Sequence, residues 1–432
     1  MSTTGFAFDR MARDRNAALA LDVNDPLAAF RNEFHLPLNA AGQPQTYLCG
    51  HSLGLQPKRT ANFINEELQA WQLQAVEAHF HSQRPWLSYH ELLAPGLAEL
   101  TGALPVEVVA MNSLSVNLHL LLVSFYRPTS QRHKILIERS AFPSDRYAVA
   151  SQLRLHGYDP HSALLEISPR AGESSLRPED VVALLEREGP SIATVLLPGV
   201  QYLSGQYLDL AAITRIAQQQ GCVVGFDLAH AIGNVPLRLH DWNVDFAVWC
   251  SYKYLNSGPG SIGGCFVHER HAQQFELPRC AGWWGHDKTT RFDMPDDFVP
   301  LAGAEGWQIS NPPIFACAPL LASLELFAAA GLDRLRSKSV QLTAYLDVLL
   351  RAELQPRLSV LTPNDPAARG CQLSLRLHAG RERAYASYQA LVARDFVCDW
   401  REPDVIRVAP VPLYNSYLDV WRFVQALKEL LQ

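Results

Sequence analysis

Two short stretches carry residue types that do chemistry together. In Gly225-Phe226-Asp227-Leu228-Ala229-His230-Ala231-Ile232-Gly233 an apolar, strand-like run passes straight into a carboxylate. Further along, Val248-Trp249-Cys250-Ser251-Tyr252-Lys253-Tyr254-Leu255 places a lysine just past a second apolar run, among aromatic and small residues. In open α/β sheets ligands bind at the carboxyl ends of the strands, where Asp227 and Lys253 would both fall. Taken singly, Asp227 reads equally as a helix N-cap and Lys253 as a surface lysine. As a pair they suit pyridoxal phosphate: the amine forms a Schiff base with its aldehyde, and the carboxylate keeps the pyridine nitrogen protonated. Each charge favours the other, so the pair reinforces itself. The protonated ring is the electron sink that stabilises carbanions. The phosphate needs donors, and Leu114-Ser115-Val116-Asn117 opens a helical run whose free N–H groups and Ser115 hydroxyl can supply them. Ser115 reads equally as a plain N-cap.

Positioning these groups takes alternating strands and helices. Strands are expected at Lys134–Glu138, Ala193–Leu197, Cys222–Phe226, Phe246–Cys250 and Ile262–Val267. Helical patterns lie between them, as in Leu210–Gln220, where Leu210, Ile213, Ile216 and Ala217 share a face and Gly221 closes the helix. That alternation predicts an α/β class fold with a mostly parallel sheet covered on both faces. After Asn311-Pro312-Pro313 the texture changes. A strongly helical stretch over 318–352 is followed by strands at Cys371–Leu377 and Val405–Val408, which flank a helix near 382–394, and then by a last helix near 417–431. The expected organisation is an arm over 1–45 packing with the small domain, a large α/β domain over 46–315 and a small α+β domain over 316–432.

Composition supports a folded chain of two or three domains, since 432 residues at roughly 150 per domain give that number. Hydrophobic residues at 48% and charged residues at 19% exclude a disordered, collagen-like or coiled-coil chain. Lys and Arg total 37 against 43 Asp and Glu, a net charge of -6, so no bulk attraction to nucleic acid or anionic membrane is expected. No run nears the ~18 apolar residues of a membrane helix; Leu118–Phe125 is short and is followed by Arg127. Met1-Ser2-Thr3-Thr4-Gly5 offers no apolar signal core and soon meets Asp9 and Arg10, so a cytoplasmic location is expected. None of the eight cysteines forms a CxxC pair, which argues against zinc knuckles and thioredoxin chemistry and for reduced, structural thiols.

Beyond these residues, the chain resembles the kynureninase family of fold-type-I (aspartate-aminotransferase-like) pyridoxal-phosphate enzymes. The matching stretches run from about Tyr47 to Tyr417 and include Gly50-His51-Ser52-Leu53-Gly54-Leu55-Gln56-Pro57, Met111 to His119, Ala141-Phe142-Pro143-Ser144-Asp145, Gly225 to Gly233, Trp249 to Asn256, Ile309 to Pro313, and Ile406 to Ser416. The resemblance implies that Lys253 is the Schiff-base lysine, that Asp227 pairs with the pyridine nitrogen with His230 beside it, that Phe142 stacks on the ring, and that Asp145 sits near its polar edge. Leu114 and Ser115 then fall in the phosphate turn. Tyr252, Trp283 and Asn311 complete the pocket, with Tyr252 also the proton donor. In this class Trp283 and Asn311 often come from the partner subunit, which implies a homodimer. Arg407 matches the clamp for the substrate α-carboxylate, a task suited to guanidinium.

The reaction so implied is hydrolysis of a carbon–carbon bond in L-kynurenine or 3-hydroxy-L-kynurenine, giving anthranilate or 3-hydroxyanthranilate and L-alanine, within tryptophan degradation and NAD biosynthesis. His79 matches the histidine of members preferring the ring-hydroxylated substrate, and with Asn311 it is expected to hydrogen-bond the ring hydroxyl; a surface histidine on a loop is the other reading. Three departures stand out: Ser115 where many relatives have Thr, Pro198 where eukaryotic relatives often have Ser, and Trp284 in place of a smaller aromatic. Rival readings are a cysteine desulfurase, for which Cys280 is the loose nucleophile candidate, an aminotransferase, or a silent cofactor-binding relative. Gly258-Pro259-Gly260-Ser261-Ile262-Gly263 matches a dinucleotide motif by letters but precedes a strand, not a helix. His268-Glu269-Arg270-His271 lacks metal-box spacing and reads as a solvated helix start. His79 with His81 is likewise not read as a metal pair. Arg334, Arg336 and Lys338 read as a solvated basic patch. No metal site is expected.

Overall fold

The computed structural model describes residues 13–432; Met1–Gly5, Asp9 and Arg10 lie outside the described residues. The main sheet has seven strands: β1 (Val108–Ala110), β2 (Lys134–Glu138), β3 (Leu164–Ile167), β4 (Ile192–Pro198), β5 (Val223–Asp227), β6 (Phe246–Trp249) and β7 (Gly264–Val267). Their spatial order is β1-β7-β6-β5-β4-β2-β3, and only β7 runs against its neighbours. Ile135, Leu136, Ile137, Val224, Phe226, Ala247 and Val248 are fully buried, as strands sandwiched between helix layers must be. Register pairs Pro198 with Asp227 and Asp227 with Val248, so the carboxyl ends of β4, β5 and β6 lie level.

Local chemistry sets these elements. The helix Leu210–Gln219 begins where the Asp209 side chain accepts from the Ala212 N–H at 3.0 Å, and it ends before Gly221 at φ 79°. Gly225 leaves room for a neighbour: a Cβ there would come within 2.1 Å of the Phe246 ring, so any side chain would displace β6, the strand that delivers Lys253.

A second sheet, β8 (Leu358–Val360), β9 (Leu373–Leu377), β10 (Asp399–Arg401) and β11 (Val405–Val408), is antiparallel in the order β10-β11-β9-β8. Its core opens at Leu342. The strongly helical stretch expected over 318–352 falls in two helices, Ile314–Ala330 and Leu332–Leu354, bent by 81° at Gly331, whose φ is 77°. The first packs with the main sheet's core through Cys317, Leu320 and Phe327, so the core changes past that hinge rather than at 316. Among the described residues no single helix is long and apolar enough to cross a membrane.

The described part of the arm bridges the two cores: Leu27 and Phe34 pack in the core of the main sheet and Ala18 in the second. Asp22 accepts from the Tyr417 and Leu418 N–H groups, and Arg31 pairs with Asp419 at 2.6 Å. Two surface readings are corrected here. Lys338 is 5% exposed and paired with Asp25 at 2.6 Å, because the arm folds over it. The His268 segment is no solvated helix start: His268 is buried beside Glu107, and His271 meets Asp245 at 2.9 Å, both carboxylates coming from distant segments.

Candidate active site

The level strand ends gather the reactive groups. Lys253 Nζ lies 3.0 Å from His230 Nε2, while Asp227 Oδ1 accepts from the Ala229 N–H at 2.7 Å and so is held at the mouth of β5. Around them one cleft is lined by Leu114, Ser115, Phe142, Asp145, Asp227, His230, Tyr252 and Lys253. A wider hollow lined by Val181, Ile213 and Trp242 lies elsewhere and contains none of these groups.

Each wall has a local cause. The helix Leu114–Phe125 starts after Ser113, whose side chain makes no cap bond, so its first-turn N–H groups remain for a guest. Ser115 Oγ pairs with Ser144 Oγ at 2.8 Å, bringing two hydroxyls to that helix start. Phe142 sits at the N-cap of the helix Pro143–Leu155 with its ring 45% exposed, edge-on to Tyr202 and 6.0 Å from Lys253 Nζ. Burial, then the Asp227 carboxylate, push the Asp145 carboxyl well above the usual carboxylate range, which keeps it protonated. Burial, then Lys253 and Arg407, push His230 well down, so its imidazole is neutral. Burial and the neighbouring Cys250 raise Tyr252, whose phenol holds its proton.

Four expected residues lie outside this cleft in the single chain. Trp283 is 40% exposed and donates from Nε1 to the Arg291 carbonyl at 3.0 Å; Asn311 is exposed. His79 is half-buried on a short helix, edge-on to Trp86 with its Nδ1 3.0 Å from the Val76 carbonyl. Arg407, on β11, is buried just behind the cleft: Nε donates to Asp399 Oδ1 at 2.8 Å and Nη1 to the carbonyl of Tyr202, itself a cleft residue, at 2.6 Å. Cys280 is the one exposed cysteine and does not line the cleft.

Sequence reasoning passed over several lining residues. Glu138, the last residue of β2, is 3% exposed and raised by burial to about 7. Pro198 ends β4 and lines the cleft although it has no donor. Glu138 could have been found by reading every strand end at this edge, as Asp227 was; Pro198 is one of the departures noted in the sequence, left out of the site there because it offers no hydroxyl. Tyr202 follows β4 by a few residues and had the same signal. His51 lay inside a quoted motif and drew no notice of its own.

The Gly50–Pro57 segment bears directly on the lysine loop. Gly54 N–H donates to the Tyr252 carbonyl at 2.8 Å, and a Cβ on Gly54 would come within 2.3 Å of the Lys253 carbonyl.

The comparisons with known proteins agree with this geometry. Residues 335–427 match the family model described as the kynureninase C-terminal domain. The chain is 56% identical to a kynureninase of Koribacter versatilis over 95% of this chain and 96% of that one. It is 55% identical to a kynureninase of Myxococcus xanthus over 99% of both.

The chain belongs to the kynureninase family.

Its fold is also that of solved structures at low identity. The cysteine desulfurase CsdA of Escherichia coli superposes with a TM-score of 0.75 at 18% identity, covering 94% of this chain and 98% of that one. The cystine C–S lyase C-DES gives 0.73 at 18% identity, over 89% and 97%. A kynureninase-family chain therefore carries the fold-type-I architecture expected from its sequence.

The cleft also fits the cofactor that its lysine and aspartate suggested. Three buried carboxyls, those of Glu138, Asp145 and Asp227, line one cavity, and Asp145 Oδ1 and His230 Nδ1 have no hydrogen-bond partner among the described residues. A cationic ring with polar substituents satisfies both, and the two hydroxyls at a helix start suit a phosphate.

Proposed function

We propose that this chain hydrolyses L-kynurenine or 3-hydroxy-L-kynurenine to the corresponding anthranilate and L-alanine, with pyridoxal phosphate held in the described cleft. The observation that carries the reading is a lysine and an aspartate on level ends of adjacent parallel strands, in a chain over half identical to kynureninases along nearly its whole length. Bound pyridoxal phosphate supplies an aldehyde for amines and a protonated ring that withdraws electrons from the attached carbon.

The chain's own residues do the rest. Asp227 holds the proton on the ring nitrogen, and Phe142 covers a ring face. Ser115, Ser144 and the helix start at Leu114 hold the phosphate. Asp145, protonated, donates to the ring's polar edge, while neutral His230 orients Lys253 Nζ. Freed Lys253 takes the Cα proton of the substrate. Water adds to the substrate's γ-carbonyl, the Cβ–Cγ bond breaks and the aryl acid departs with the added oxygen; Tyr252 Oη, which burial keeps protonated, then delivers a proton to the β-carbon. Arg407 clamps the α-carboxylate.

The same reading makes the enzyme a cytoplasmic homodimer in tryptophan breakdown and NAD formation. Trp283 and Asn311 of one subunit complete the pocket of the other, and their exposure and distance from their own cleft support this. His79 and Asn311 then meet the ring hydroxyl of 3-hydroxykynurenine. Purified protein offered both kynurenines, with alanine release measured, tests the activity; release from neither overturns it. Cysteine offered in parallel tests a desulfurase, for which sulfide release is the mark.

A further inference from the structure

One buried histidine behind the site, beside His230 and outside the cleft's lining, has no task in the scheme above. His51 is 0% exposed, and neither ring nitrogen has a hydrogen-bond partner among the described residues. A buried imidazole left so is costly unless a guest supplies the partner. Its ring centroid lies 6.5 Å from that of His230, the neighbour of Lys253. One of its nitrogens lies within 4.8 Å of an Asp399 oxygen, and Asp399 holds Arg407. His51 thus stands between the reactive amine and the carboxylate clamp.

The loop that carries it is built to stay there. A Cβ on Gly50 would meet the Tyr414 hydroxyl at 2.1 Å, and one on Gly54 the Lys253 carbonyl at 2.3 Å. Leu48 accepts from the Ala409 N–H at 2.8 Å, tying the segment alongside the strand of Arg407. Burial, then Arg407, Lys253 and Arg401, hold the imidazole neutral, so it keeps one N–H to donate. Cys49, His51 and Asp399 are close enough to suggest a metal, but Asp399 already pairs with Arg401 and Arg407, and burial pushes the Cys49 thiol up to about 12. A guest accepting a hydrogen bond fits this corner; a cation does not.

We propose that His51 is a substrate-binding residue that donates a ring N–H to the α-carboxylate end of the amino-acid substrate, beside Arg407. The assignment rests on the function proposed above and deepens it.

The test uses holoenzyme with His51→Leu, His51→Asn and His51→Gln. KM and kcat for kynurenine are measured, together with the Kd of L-alanine from the change in the cofactor's absorption. L-Alanine shares only the amino-acid end with the substrate. His51→Leu is expected to raise both KM and the L-alanine Kd about tenfold, the weight of one hydrogen bond to a charged group, with kcat within about threefold. One amide variant restores L-alanine binding to within about threefold, Asn if Nδ1 donates and Gln if Nε2 does. Unchanged L-alanine binding in His51→Leu overturns the proposal, even if KM for kynurenine rises. Should the leucine variant fail to fold, the amides decide: a split between them supports it, and equal wild-type affinity overturns it. If the wild type turns over neither kynurenine, the proposed function fails, and L-alanine binding still decides the role of His51.

Discussion

Replacing Arg407 by lysine separates charge from shape at the proposed carboxylate clamp. Arg407 is 1% exposed and commits Nε to Asp399 and Nη1 to the Tyr202 carbonyl, while Nη2 has no protein acceptor among the described residues. A lysine keeps the charge, but it cannot brace against both partners and still offer a second parallel donor. The loss is one charge-assisted hydrogen bond to the substrate, about 1.5–3 kcal/mol, or about 10- to 150-fold in KM. Folding should be spared, because Asp399 also receives Arg401 through Nε at 2.9 Å and Nη2 at 3.1 Å and is not left as an unpaired buried charge. We expect Arg407→Lys to raise KM for kynurenine by that factor, to raise the L-alanine Kd in parallel, and to lower Tm by no more than about 3 °C. Steady-state kinetics and a thermal melt of the same preparation check all three. A folded variant with KM within threefold of wild type would refute the clamp.

Other expectations follow from the same contacts. Glu138 is raised from 4.5 to about 7 by burial, so its contribution to stability is present below pH 4.5 and lost as pH rises through 7. Glu138→Gln should therefore match wild type in Tm at pH 5 and exceed it at pH 8; equal melts at both would show that the acid is not strained. Lys338→Met strands Asp25, 3% exposed at its side chain, and should cost about 3–5 kcal/mol in urea unfolding, largely recovered by adding Asp25→Asn. Mixing Trp283→Ala and Lys253→Ala dimers should restore up to about a quarter of wild-type activity after subunit exchange, since half the dimers then hold one intact site. No recovery in a mixture shown to have exchanged would place both residues in the same subunit's site.

The reactive pair was legible because its logic is local. Asp227 and Lys253 each follow an apolar run, and parallel strands place such residues on one edge whatever their order. Strand order itself was not legible, since β7 pairs with β1 across nearly the whole length of sequence that the sheet spans and nothing in Gly264–Val267 marks its reversal. Lys338 and His268 misled for a related reason: each looks solvated within its own segment and is buried by a carboxylate from another. The helical character of 318–352 was legible, but the bend within it was not: Gly331 divides the stretch by a φ of 77° that an apolar pattern does not display. Tyr202, Glu138 and His51 were missed because a strand end or a motif was noted without asking where each of its side chains goes.

The contact of Gly54 with the lysine loop has a bearing on how the enzyme comes into being. The backbone of Lys253 is seated against Gly54, far from it in sequence, and the segment bearing Gly54 is seated in turn against Tyr414 on the other side of the lysine in sequence. A nascent chain can possess the lysine, the aspartate and the sheet between them and still lack the bed on which the amine rests. That bed is complete only once the segments of Gly54 and Tyr414 have both docked beside the lysine loop.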